Sequence, residues 1–101
     1  MRFGLHPDVI KKRRQVFAQF PNIEEVIVFG SRAKGNYKEG SDIDLALKGT
    51  ALNLQTLQSL ELKLDELYLP YKIDMVIYDT IANDALKEHI DRAGIVLEKR
   101  V

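Results

Sequence analysis

The sequence predicts an α/β domain, a small mixed sheet in the order 1-2-3 covered by helices, with the succession α-β-α-β-α-β-α along the chain. Three observations carry this. Short β-branched runs alternate with stretches of helical period. The link between the first two runs has room for no more than a helical turn, which predicts an antiparallel pair. The link between the second and third holds a whole helix, which predicts parallel neighbours joined by a right-handed crossover.

Taking the elements in order, Pro7 suits the first turn of a helix, and Val9, Ile10, Val16, Phe17 and Phe20 fall on one side at helical spacing before Pro21 ends it. Arg13 lies in the middle of that stripe and is expected to snorkel to its rim. His6 is expected at the helix start. The run Glu25 to Phe29 reads as a buried strand that stops at Gly30, and Asp42 to Lys48 reads as the second strand. From about Asn53 to Leu67, leucines 57, 60, 64 and 67 form a narrow helical stripe, with Leu54 at its edge and Leu62 on the far side. Pro70 ends that helix. Lys72 to Tyr78 is the third strand, and a last helix is expected from about Ala82 to Ala93, capped by Gly94. The run "IVLEK" has the character of a short terminal strand.

The 101 residues suit one domain. Fifteen basic and fifteen acidic residues cancel, so the general basic footprint of a nucleic-acid binder is missing. Without cysteine there is neither a disulfide framework nor a thiolate zinc site, and carboxylate oxygen becomes the expected ligand for any metal. No stretch reads as a signal peptide and no apolar run approaches the roughly 20 residues that span a bilayer. The cytoplasm is therefore the expected location, with no membrane contact.

The informative stretch is "VFGSRAKGNYKEGSDIDLAL", Val28 to Leu47. Asp42 and Asp44 are two apart on one strand, so they share a face with Cα atoms roughly 6.6 Å apart. Two like charges in one small volume repel unless a cation offsets them. One or two magnesium ions suit that need, and a pair of ions can clamp both oxygens of a phosphoryl displacement. The predicted topology brings Asp74, at the start of the third strand, to the same edge as a third ligand or a base. Gly30 permits a tight turn and close approach of a phosphate, and Ser31 would open a helical turn whose N–H groups face an anion. Arg32, Lys34 and Lys38 can steer a triphosphate toward the acids, although a basic loop is more often only a solvated one.

Gly-Ser after a strand, or an aspartate at a strand start, is alone commonly just a turn. In combination, "GSRAKG", then "SDIDLAL", then an acid in a third strand resembles the nucleotidyltransferase superfamily that includes DNA polymerase β, and within it the minimal nucleotidyltransferases. The resemblance covers nearly the whole chain. It implies the nucleotidyltransferase fold, triphosphate bound at Gly30 and Ser31, and divalent metal at Asp42 and Asp44, with Asp74 as the third acid. It also implies transfer of a nucleoside monophosphate, AMP if the substrate is ATP, to a hydroxyl with release of pyrophosphate. Minimal members often pair with a small helical protein of the HEPN type, sometimes as antitoxin and toxin, so such a partner is expected. The main alternative is a non-catalytic module that neutralises a helical partner by contact. A nucleic-acid end-modifying enzyme is a second alternative, against which the neutral charge weighs. His89 sits among Ala82, Leu86, Ile90 and Ala93, the setting of a half-buried histidine, and no histidine site is assigned.

Overall fold

The computed structural model describes residues 7–35, 42–66 and 72–99. Helix α1 (Pro7–Phe17) leads into strand β1 (Ile23–Phe29), and a one-turn helix α2 (Ser31–Lys34) follows at once. Strand β2 (Ile43–Gly49), helix α3 (Leu54–Asp65) and strand β3 (Ile73–Ile77) form the crossover unit. A 3-10 turn, Tyr78–Thr80, then leads to helix α4 (Asp84–Ala93) and strand β4 (Ile95–Lys99). Lys38, His6, Leu67 and Pro70, singled out in the sequence, lie outside the described residues.

The sheet order is β3-β2-β1-β4. The expected order of the first three strands is retained, and "IVLEK" adds a fourth strand antiparallel to β1. β1 and β2 are antiparallel, β2 and β3 parallel. Each pairing follows from its link, since four helical residues cannot carry the chain back along a strand whereas α3 can.

Alternation along the strands divides the core between two faces. Val26 and Val28 of β1 and Ile43, Leu45 and Leu47 of β2 pack with α1 and α3. Ile27 and Phe29 of β1 and Ala46 of β2 pack against Ile90 of α4, joined by Val76 and Leu86. Within α3 Leu60 and Leu64 are buried and Leu57 packs partly buried against the same core, while Leu54, expected at the edge of the stripe, is 66% exposed at the first position of the helix. Leu62 is exposed on the far side, as its phase requires.

Two local expectations need correction. α4 begins at Asp84 rather than near Ala82, because the Asn83 side chain accepts from the N–H groups of Ala85 and Leu86 and fixes the start there. Gly94 caps α4 as expected, at φ −68, its N–H donating to the Ile90 carbonyl at 2.8 Å. It is needed for closeness as well: a Cβ there would lie 2.5 Å from the Ile90 carbonyl oxygen and 2.6 Å from Ile27 Cγ2. Finally, Arg13 does not snorkel. It is 0% exposed, three residues from both Ile10 and Val16 at the centre of a three-turn helix, and it interacts within the fold.

Among the described residues, no helix is long and apolar enough to cross a membrane.

Candidate functional site

Register brings the sequence-predicted residues together. Phe29, the last residue of β1, stands opposite Asp44 of β2, and Asp44 stands beside Asp74 of β3. Neighbouring strands are roughly 4.8 Å apart, so Gly30, Asp44 and Asp74 line one end of the sheet. Asp44 shares the parity of Ala46, and Asp74 that of Val76, which puts both acids on the α4 side. Asp42 is exposed immediately ahead of β2.

The turn after β1 is shaped for close approach. Gly30 has φ 74 and ψ −151, a conformation that favours glycine, and a Cβ there would lie 2.5 Å from Oδ2 of Asp44. The missing side chain is thus what lets the Asp44 carboxylate lie against the turn. Ser31 opens α2 as expected, the Lys34 N–H donates to the Gly30 carbonyl at 3.1 Å, and Gly35 ends the turn in the left-handed region.

The charges are less alike than the sequence suggests. Lys34 is exposed, whereas Arg32 is 3% exposed and interacts within the fold, so it does not belong to a solvated basic loop. Partial burial, then the Asp74 charge, then the Asp42 charge push the Asp44 carboxyl above its usual range. That crowding is what a hard divalent cation would relieve, and a set of carboxylate oxygens suits such an ion. Among the described residues no group of three acids or histidines is gathered as a preformed metal cage. Register aligns Asp44 with Asp74, and the Asp42 and Asp74 side chains are exposed.

Sequence reasoning passed over Phe29. It is buried on the acid-bearing face opposite Asp44, and the His89 ring meets it edge-on, centroids 6.2 Å apart. The signal was available in its place as the last strand residue before the glycine turn. His89 is half-buried, as expected from its neighbours on α4.

Comparison with known proteins identifies the family and the fold. The family model described as "Polymerase beta, Nucleotidyltransferase" matches residues 11–100. A Methanocaldococcus jannaschii protein carrying the provisional name of a protein adenylyltransferase is 28% identical over 85 residues, which cover 83% of this chain and 86% of that protein. A solved structure provisionally described as a minimal nucleotidyltransferase is 30% identical, with TM-score 0.66, covering 87% of this chain and 91% of its own. Two further structures share the fold. A toxin-antitoxin with AMP-PNP has TM-score 0.73 at 23% identity, covering 89% of this chain and 73% of its own. A tri-AMPylated Shewanella oneidensis HEPN toxin in complex with MNT antitoxin has TM-score 0.66 at 20% identity, covering 90% and 70%.

Proposed function

Because the chain belongs to the polymerase beta nucleotidyltransferase family, we propose that this nucleotidyltransferase moves AMP from ATP to a hydroxyl of a partner protein, releasing pyrophosphate, and that the partner is a small helical protein of the HEPN type. The observation that carries the reading is the alignment of the Gly30 turn with Asp44 and Asp74 across three strands. The choice of AMP and of a protein acceptor is supported by the adenylyltransferase name of the archaeal relative and by the AMPylated toxin among the structural neighbours.

In this reading Asp42, Asp44 and Asp74 hold divalent metal, magnesium by its preference for carboxylate oxygen. The metal, one ion or two, would supply positive charge to the phosphate oxygens. Gly30 admits the triphosphate against the backbone, and the opening N–H groups of α2, beginning at Ser31, donate to its oxygens. Exposed Lys34 draws the anion in, and Arg32 acts from its buried place by fixing the turn. The acceptor oxygen attacks the α-phosphorus and forms the new P–O bond. The bond from that phosphorus to the bridging oxygen breaks, and pyrophosphate leaves with the electron pair. The acceptor proton passes to the exposed Asp74 carboxylate or to solvent.

The test is transfer of label from α-labelled ATP, with magnesium, into a lysate of the source organism. Wild type is compared with the Asp42→Asn, Asp44→Asn double variant. A single labelled protein band that disappears with the double variant is expected. Label in nucleic acid or in a small molecule would overturn the protein acceptor, and absence of any variant-sensitive label would overturn catalysis.

A further inference from the structure

Away from the acids, a cavity of 640 Å³ opens at the β3 edge of the sheet, between the starts of α3 and α4. Leu54 and Leu57 form one wall, Met75 and Ile77 the floor, and Ile81 and Leu86 the other wall. The cavity reaches both faces of β3, since Val76 also lines it and points opposite to its neighbours.

Its polar side chains are already committed to the fold. Asn53 accepts from the Thr56 N–H at 2.9 Å, Asn83 accepts from the Ala85 N–H at 2.9 Å, and the Thr80 hydroxyl donates to the Ile77 carbonyl at 3.0 Å. A polar small molecule would find little to recognise. The strand backbone differs. The Ile43 N–H donates to the Lys72 carbonyl, which sets the phase of the parallel ladder so that even-numbered residues of β3 face β2. The main-chain groups of Met75, and the N–H of Ile77, therefore point away from the sheet. Among the described residues no further strand pairs there. The opposite edge is treated otherwise: the register of β4 shifts around Leu97, and the Arg14 guanidinium donates to the Leu97 carbonyl at 3.2 Å.

Charge narrows the occupant. Asp79 and Asp84, both exposed, lie beyond the C-terminal end of β3 beside the cavity, and exposed Lys72 precedes the strand at its other end. Lys48 and Lys87 are turned onto the Tyr78 ring, 4.3 and 5.2 Å from its centroid. We propose that β3 is a docking edge for an extended segment of a partner protein, with apolar side chains at alternate positions and a basic residue at the end that lies beyond Ile77, added as a fifth strand. Alternate side chains would fill the cavity above and below β3, the outward main-chain groups would supply the ladder, and the two aspartates would meet the basic end. The proposal uses none of the three site acids and stands or falls apart from the transfer reaction.

The test uses the full chain and a fluorescein-labelled seven-residue peptide of alternating valine and threonine with lysine at both ends, followed by anisotropy. Saturable binding is expected, weakened at least tenfold by Leu54→Glu and by Ile77→Pro, and at least fivefold when glutamate replaces the terminal lysines. Leu54→Glu changes an exposed side chain, so its melting temperature should stay that of wild type, and Ile77→Pro removes an outward N–H at φ −91, near the range proline adopts. Hydrogen exchange should show the Met75 and Ile77 amides protected by the peptide. Absence of binding, wild-type affinity in either variant, or protection elsewhere would overturn the proposal. Self-association of the chain through β3, seen by sedimentation and abolished by Leu54→Glu, would replace the partner with a second copy.

Discussion

Gly30 and Asp44 compete for one volume: a Cβ on the glycine would lie 2.5 Å from the aspartate Oδ2, so the turn and the acid can occupy their places only while residue 30 lacks a side chain. The glycine at φ 74 and the carboxylate across the strand pair form one device. Gly30→Ala should therefore cost about 1–3 kcal/mol in stability, from backbone strain and displacement of Asp44. Transfer activity should fall at least tenfold even where the variant is fully folded, as checked by circular dichroism and label transfer. Full activity in a folded variant would separate the turn from the site.

A second prediction concerns pH. The Asp44 carboxyl is held above its usual range by burial first and by Asp74 and Asp42 after it. The native state thus binds this proton more tightly than the unfolded chain does. The group's favourable contribution is complete below its unfolded pKa and is lost as pH rises through the raised native value. At neutral pH without metal, Asp44→Asn should melt at or above the wild-type temperature, by no more than a few degrees because the carboxylate is partly solvated. The difference should vanish in acid.

Magnesium should reverse that order. If Asp44 is a ligand, the ion stabilises wild type by mass action and raises its melting temperature more than that of Asp44→Asn. Equal shifts would remove Asp44 from the metal site.

Gly94→Ala tests packing away from the acids. Its Cβ would crowd Ile27 and the Ile90 carbonyl where α4 meets β1. A loss of about 1–3 kcal/mol is expected in urea unfolding. Activity per folded molecule should be close to wild type.

The leucines of α3 offer a contrast in one helix. Leu60 is fully buried and Leu62 is 66% exposed. Leu60→Ala should cost about 2–5 kcal/mol and Leu62→Ala less than about 0.5 kcal/mol, measured by chemical unfolding.

What the sequence determined by itself was local and periodic. The strand at Glu25 to Phe29 was legible because β-branched residues ran up to a glycine, and the pairing of strands followed from the lengths of their links. The link lengths put Asp74 beside Asp44, and Asp42, read as the first residue of the second strand, lies just ahead of it. Tertiary structure decided what depends on neighbours distant in the chain. It buried Arg13 and Arg32, basic residues whose expected place was the rim or a solvated loop, because burial is set by what packs above a side chain rather than by its own polarity. It gave Gly94 a packing role besides its capping one, since only the approach of α4 to Ile27 reveals the missing space. It also set the register that pairs Phe29 with Asp44 and Asp44 with Asp74, because ladder phase is a property of two strands together and is written in neither alone.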